Sequence, residues 1–581
     1  MADTKQDVLD MLRELSELTM LEEGDPQSFR VRAYESAAQA IAAQATDLGR
    51  MTKKELQQIE GIGKSTAEKI RELLDTGKVE KLEGLRRKHP RSVVDLLRIQ
   101  GLGPKALMKL RSELGVQSID DLRAALAEHK VRALKSFGPK SEEKLTQALA
   151  RLDAEGAAGR TPISVALPLA TRIVERLREL PRVSHAAYSG SLRRFKETVG
   201  DVDIVVAASA AEPVMEALVS MSVVDRVLVR GEAKTSVVTR RGTQVDLRVV
   251  AEHQLGAALL YFTGSKGHNI KLRQRALARG YTLNEYALSE IEGGRVVASE
   301  SEEQIYAALG LPFIPAEIRN GADEIQAAVD GSLPLLLARS DIRGDLHMHT
   351  SFSDGRDSVE DMVEMCRSLG YEYMAITDHS PHSAASRNLS ADTIAKQADE
   401  IARLREKYPD IAILHGCEVD ILPDSRLDFP DRILERLDIV LASLHERAGH
   451  SPERLLHRYE SAMKHPLVTL ITHPTNRMVP NKPGYDLDYD RFFAMAVETG
   501  TLVEIDGSPA HLDLDGPLAR RAVAAGATLA VDSDCHRAEL LDIQMELGVR
   551  TGRRGWVERR HVLNTRPLAD IRAAVAAKRK G

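Results

Sequence analysis

Gly200-Asp201-Val202-Asp203-Ile204-Val205-Val206 is the stretch on which the reading of this chain turns. A β-branched run that opens on alternating aspartates predicts a strand, and the period of two puts both carboxylates on one face. Ten residues upstream of it, Gly190-Ser191 offers close backbone approach and a hydroxyl at an expected helix start, with Arg194 one turn further on to meet phosphate oxygens. Downstream, Val245-Asp246-Leu247-Arg248-Val249-Val250 reads as another strand, whose Asp246 can join the pair. Three carboxylates beside a phosphate-holding turn can bind two Mg2+ or Mn2+ ions, one for an attacking hydroxyl and one for a triphosphate leaving group. Val227-Leu228-Val229 and Ser236-Val237-Val238-Thr239 extend the strand set. With helical segments around them, a mixed α+β unit is expected from about residue 161.

A second pattern follows a stretch, 331–341, that reads as a linker. It runs Asp345-Leu346-His347-Met348-His349, then Asp354, Asp378-His379, Glu418, His445, His473 and Asp534-Cys535-His536. Short apolar runs (374–377, 411–414, 439–442, 528–531) alternate with helical segments, and His, Asp or Glu follows each within a few positions. That is the signature of a β/α barrel with its site at the strand ends. Imidazole and carboxylate ligands without thiolate suit Mn2+, Zn2+ or Fe2+. Cys535 lies between two ligand-type residues on a diverging side chain and is read as a bystander.

Residues 3–150 show helical periodicity and almost no strand signal. Gly61-Ile62-Gly63-Lys64 and Gly101-Leu102-Gly103-Pro104-Lys105 each lead into a predicted helix, and Phe137-Gly138-Pro139-Lys140 is a weaker copy. Glycine turns that expose N–H groups at a helix start can hold a backbone phosphate without reading bases. Gly63-Lys64-Ser65 is no P-loop, because Gln58 stands where a glycine is required and a helix is expected before it. The net charge of −6 hides a division. Residues 61–112 carry about +7 and residues 341–581 about −8, so a local basic patch is masked by an acidic C-terminal part. Three separated cysteines fit a reducing compartment, the charged N-terminus is no signal peptide, and no apolar run reaches membrane-span length.

Taken together, Gly190-Ser191, Gly200-Asp201-Val202-Asp203 and Asp246 resemble the palm of the nucleotidyltransferase superfamily, in the form found in bacterial-type family X DNA polymerases. Tyr261-Phe262-Thr263-Gly264-Ser265 with Asn269 and Arg273 resembles that family's nucleotide-binding region. The resemblance implies that Tyr261 and Phe262 line the sugar pocket, Asn269 meets the incoming base and Arg273 the template side. Lys69 matches a Schiff-base lysine of the family's lyase-type domain. Its alternative reading is a lysine that only grips backbone, and Lys64 and Lys81 supply positive charge nearby. Gln244, Lys266, Ser65 and Phe29 depart from the family pattern. The second pattern resembles the polymerase and histidinol phosphatase (PHP) superfamily, a distorted barrel with two or three metals. That likeness implies His347, His349, Glu418 and Asp534 on one ion, Glu418, His445 and His473 on another, and Asp354, His379 and His536 on a third.

The expected architecture is multidomain. An all-α helix-hairpin-helix region divides at 1–90 and 91–160. A palm at 161–255, a thumb at 256–330, the linker at 331–341 and a PHP barrel at 342–575 follow. The expected function is template-directed gap filling in repair by a cytoplasmic monomer. Gapped or nicked DNA and dNTPs are its partners, with no membrane. The barrel is expected to supply 3′–5′ exonuclease, 3′-end processing or abasic-site endonuclease activity. The rival is a template-independent nucleotidyltransferase with a non-catalytic barrel.

Overall fold

The computed structural model describes the chain except for residues 1–3, 24–27, 44–47, 49–50, 60, 90–92, 94–95, 97–101, 135–136, 139–140, 147–159, 384–387, 446–449, 481 and 581. It divides into Met1–Gly159 and Arg160–Gly581.

The first unit is helical among its described residues, with helices at Thr4–Glu23, Phe29–Ala43, Lys53–Gln58, Lys64–Thr76, Glu80–Lys88, Pro104–Leu114 and Ile119–Ala127. Local chemistry sets several ends. Thr52 caps Lys53–Gln58 in a reciprocal box with Glu55, and Gly77 ends Lys64–Thr76 in the left-handed region. The core is built largely of leucines at helical spacing, among them Leu12, Leu15, Leu56, Leu107, Leu110 and Leu122.

The second unit opens on a short ribbon of β1 (Thr161–Pro162) and β3 (Thr198–Val199). A five-stranded sheet takes β2 (Val183–Tyr188), β4 (Val202–Ala208), β5 (Val224–Arg230), β6 (Lys234–Thr239) and β7 (Gln244–Val250) in the order β2-β4-β7-β6-β5. The β4–β7 pair is parallel and the others antiparallel. In β7, Val245, Leu247 and Val249 are buried beneath the sheet, which leaves Asp246 and Arg248 on the other face. Helices Leu255–Thr263 and Lys266–Leu277 follow, then an antiparallel sheet of β8 (Tyr281–Leu283), β9 (Leu288–Glu290) and β10 (Val296–Ala298).

Seven parallel strands complete the unit in sequence order: β11 (Gly344–Asp345), β12 (Tyr373–Ile376), β13 (Ala412–Asp420), β14 (Ile439–Ser443), β15 (Leu470–Ile471), β16 (Leu502–Asp506) and β17 (Leu529–Asp532). Strands buried on both faces explain the unbroken apolar runs of the sequence. The ends of this sheet meet. Met348 bridges Cys535, the His349 N–H donates to the Cys535 carbonyl (2.9 Å), and the Leu346 N–H donates to Asp532 Oδ1 (2.8 Å), so the barrel is nearly closed.

The stretch expected as a linker is packed instead. Leu337 is fully buried with its N–H on the Val557 carbonyl (2.9 Å), and Arg339 lies over Tyr371 while pairing with Asp542 (2.9 Å). Leu336 and Leu337 are the physical reason, since an apolar pair gains by joining a core rather than staying in water. The barrel also meets the five-stranded part directly. Leu512 and Leu547 belong to the apolar core under that sheet, and Glu197 pairs with Arg554 (2.6 Å) and Arg477 (3.5 Å).

Candidate active sites

Strand pairing builds the first site. Parallel register sets Asp203 beside Asp246, and Asp201 immediately precedes β4, so the three carboxylates bring one oxygen each within 4.8 Å. Gly190 starts the short helix Gly190–Arg193 at φ +62, and a Cβ there would lie 2.0 Å from Asp203 Oδ2. Glycine is therefore required twice over, for backbone sign and for space. The Ser189 N–H holds the Asp203 carbonyl (2.7 Å), which ties the turn to the strand. Burial, and then the charges of Asp201 and Asp246, push Asp203 up to about 7; burial and Asp246 also raise Asp201. Clustered carboxylates that hold protons this strongly suit divalent cations, which would discharge the repulsion.

Around this trio, Ser191 lies on the short helix and Gly200 just ahead of Asp201. Arg194 reaches the Thr263 carbonyl, and burial lowers its pKa to about 10. Gly264 ends Leu255–Thr263 at φ +67, with Arg194 Nη1 3.2 Å from where its Cβ would be. The Asn269 amide donates to the Tyr261 carbonyl (2.7 Å), Arg273 lies over the Tyr261 ring (5.3 Å), and Arg248 over the Phe262 ring (5.1 Å). Lys234, which the sequence reading passed over, pairs with Asp246 at 3.6 Å, and the Gln244 amide donates to the same carboxylate (3.1 Å). A lone lysine on a strand has no spacing signature; only the β6–β7 register reveals it.

The second site collects at the C-terminal ends of the barrel strands. Glu418 on β13 is fully buried at its centre. Its Oε1 lies 2.8 Å from His473 Nε2 and 3.6 Å from His445 Nε2. Its Oε2 lies 2.8 Å from His379 Nδ1, 3.6 Å from His347 Nε2 and 3.7 Å from His349 Nε2. Asp534 Oδ1 is 3.1 Å from His349 Nε2, while Asp354 Oδ1 is 3.6 Å from His379 Nε2 and 3.3 Å from His536 Nε2. All nine expected side chains thus meet. Three sets have ligand-type atoms within 4.8 Å: His347, His349 and Asp534; His379, Glu418 and His445; His349, Asp354, His379 and His536. The grouping departs from the expected one: His349 and His379 each serve two sets, Glu418 serves one, and His473 falls in none of the three.

The donor geometry fits cations. His347 Nε2 and His349 Nε2 face each other at 3.1 Å, and among the described residues Glu418 Oε2, His349 Nδ1 and His473 Nδ1 are buried without a hydrogen-bond partner. Separations near 3 Å suit atoms that share one ion at about 2.0–2.2 Å from each. Burial would raise Glu418, but the imidazoles of His379, His445 and His347 outweigh it and hold the carboxyl well below its usual range. Burial, with His379 and His536, lowers His349 to about 4, so its ring is neutral at physiological pH, the form that a metal ion can bind.

Several supporting groups carry no signal of their own in the sequence. Glu504 on β16 places Oε1 2.6 Å from His347 Nδ1, which orients that ring, and takes the His473 backbone N–H on Oε2 (2.6 Å), which anchors the chain at His473. Asp420 lies 3.0 Å from His445 Nδ1. Asp378 bonds Thr350, Ser353 and Gln397 and anchors a loop rather than joining the cage. Cys535 is buried, with its Sγ–H on the Arg537 carbonyl (2.9 Å).

In the first unit, Gly61 (φ +94) and Gly63 form the turn before Lys64–Thr76, and Gly63 caps that helix with no side-chain bond to its first N–H groups. Gly103 caps Pro104–Leu114 in the same way, with Lys105 exposed beside it. Gly101, and Pro139-Lys140 of the weaker copy, lie outside the described residues. Lys69 donates to Ser65 Oγ (2.7 Å) and lies 5.8 Å from the Tyr34 ring. Burial, helped by Lys81 and Arg30 against Glu68 and Glu72, lowers its pKa. Lys64 and Lys81 are exposed, and Phe29 is 82% exposed with no ring stacked on it among the described residues.

Comparisons with known proteins follow the same division. Residues 3–79 match a helix-hairpin-helix domain family, 93–151 a SAM-like helix-hairpin-helix tandem, 258–320 the DNA polymerase beta thumb and 345–492 the PHP domain. DNA polymerase/3'-5' exonuclease PolX of Bacillus subtilis (strain 168) is 39% identical over 575 residues, 98% of this chain and 99% of that one. DNA polymerase lambda of Rattus norvegicus is 27% identical over 297 residues, 45% of this chain and 47% of that one. A Caldanaerobacter subterraneus protein named "Probable phosphatase TTE1963" is 32% identical over 204 residues, 33% of this chain and 75% of that one.

Proposed function

The chain belongs to the bacterial family X DNA polymerases with a C-terminal PHP domain, and on that premise we propose that Asp201, Asp203 and Asp246 extend a primer strand while the barrel cage trims its 3′ end. Two metal-type clusters in one unit, each with its own strand framework, carry this reading.

At the first cluster, bound Mg2+ or Mn2+ would acidify the primer hydroxyl and stabilise the departing pyrophosphate. The chain's own part is placement. Gly190 lets the backbone close on Asp203, and Ser191 and Arg194 face the triphosphate of an incoming dNTP. Tyr261 and Phe262 shape the sugar pocket, and Asn269, fixed by the Tyr261 carbonyl, presents its free amide atoms to the base. Arg273 braces Tyr261 towards the template side.

At the second cluster, bound Mn2+, Zn2+ or Fe2+ would polarise a phosphodiester and activate water for its hydrolysis. Glu418 gathers the imidazoles, Glu504 and Asp420 set ring tautomers, and burial of the cage excludes bulk water from all but the open edge at Asp354, His445 and His536. The glycine turns with Lys64, Lys81 and Lys105 grip backbone phosphates of gapped or nicked DNA, which orients the substrate without reading sequence. Lys69, half-buried with a lowered pKa, has the character of a Schiff-base nucleophile for an abasic 5′ end. One chain contains both clusters, so a monomer suffices.

A labelled primer on a gapped template, matched or mispaired at its 3′ end, tests the division. Asp203→Ala should abolish extension and spare 3′–5′ degradation, and His347→Ala should do the reverse. Loss of both activities in either folded variant overturns the two-site assignment. Extension of the primer without template at a comparable rate would favour the template-independent rival.

A further inference from the structure

Asp506, His511 and Asp534 form a cluster that the nine cage residues do not account for, with one ligand-type atom from each within 4.8 Å of the others. Asp506 ends β16, and His511 stands on the loop beyond it. The Asp506 side chain is fully buried. The Ser508 N–H donates to Oδ1 (2.5 Å), but Oδ2 has no hydrogen-bond partner among the described residues. Native proteins seldom leave such an oxygen unmatched without a proton or a cation beside it. Glu504, two residues earlier on the same strand, shows the contrast, since both its oxygens are taken, by His347 and by the His473 N–H.

His511 adds the second half of the argument. Its Nδ1 lies 2.8 Å from the Arg477 carbonyl, which can only accept, so Nδ1 carries the proton and Nε2 of the neutral ring presents a lone pair. The ring is stacked on His473 (centroids 5.1 Å, planes 18° apart), which holds it against the cage. A lone pair and two carboxylates then converge, three electron-pair donors needing an acceptor between them.

We propose that Asp506, His511 and Asp534 form an additional divalent-cation subsite, joined to the cage through Asp534. One imidazole and two carboxylates suit Mn2+ or Zn2+. The subsite rests on the reading of Asp534 as a cage ligand. It gives the loop after β16 a role in metal binding.

The test is a count of ions. Full-length protein is stripped with chelator, re-equilibrated with Mn2+ in the absence of nucleotide and DNA, and assayed for bound manganese per chain by mass spectrometry. The wild type is compared with Asp506→Asn, His511→Gln and Asp354→Asn. Asp506→Asn and His511→Gln should each bind one Mn2+ fewer than the wild type, and the double variant Asp354→Asn/Asp506→Asn two fewer. Anomalous diffraction from wild-type crystals should place manganese about 2.0–2.2 Å from the three donor atoms. Wild-type counts in both Asp506→Asn and His511→Gln, or an anomalous map with no peak there, overturn the subsite. If Asp354→Asn loses an ion and those two do not, the subsite fails and the cage reading stands. If Asp354→Asn loses none, the cage reading fails instead. Should a substitution unfold the protein, every ion is lost together and the wild-type anomalous map decides.

Discussion

At the scale of single residues, the sharpest constraint is the contact between Gly190 and Asp203. A methyl group at 190 would force the carboxylate out of the trio. Gly190→Ala should therefore lower primer extension by about 100-fold or more, on the scale of a catalytic group displaced by an ångström, while 3′–5′ degradation is unchanged. Steady-state extension and degradation assays on one preparation check it. Asp203 also sets a pH dependence. Its carboxyl is raised from 3.8 to about 7, so across that window the folded protein keeps a proton that the unfolded chain has released. Metal-free protein should accordingly lose stability as pH rises from about 4 to about 7, because the unfolded state binds fewer protons there. Mn2+, which displaces that proton, should restore stability mainly at the upper end. Melting temperatures against pH, with chelator and with Mn2+, would show the two curves diverging upward in pH. The aspartates and histidines that carry these arguments could be read from the sequence because their spacing is chemical. Lys234, Glu504 and His511 could not. A lone Lys, Glu or His gains meaning only from the strand or ring it faces, and that is a property of register and closure.

At the scale of elements, periodicity served strands and barrel well, since β-branched runs and runs buried on both faces have few other uses. It missed β2, whose Val-Ser-His-Ala-Ala-Tyr has neither strong alternation nor a β-branched run. It also took Leu336 and Leu337 for connecting chain, because the short run of leucines around Pro334 carries no period. The helix starts after Gly63 and Gly103 support a prediction of their own. Removal of a phosphate-gripping lysine weakens binding without changing sequence preference. Lys64→Ala and Lys105→Ala should each lower affinity for gapped DNA at about 50–100 mM salt and reduce the slope of log K against log salt by about 1. Fluorescence anisotropy across a salt series measures it. An unchanged slope would make those turns plain helix connections.

At the scale of the whole molecule, the barrel and the nucleotide-adding part share a core. Leu512 is 2% exposed within the apolar cluster under the five-stranded sheet, and Glu197, just ahead of the aspartates, pairs with two barrel arginines. Truncation of a buried leucine costs about 2–5 kcal/mol. Leu512→Ala should lower the melting temperature and depress extension and degradation together, unlike any substitution in either cluster. Calorimetry with both assays separates the cases, and a loss confined to degradation would mean that the shared core does not support the polymerase half.

Residues 511 and 512 are neighbours in the chain, yet one ring lies against the trimming centre and the next side chain plugs the floor of the building centre. A chain without the barrel would lack Leu512 and Leu547 and so leave an unfilled socket in the apolar cluster beneath the five-stranded sheet. Point changes among the cage histidines would leave that socket filled, whereas removal of the barrel would open it.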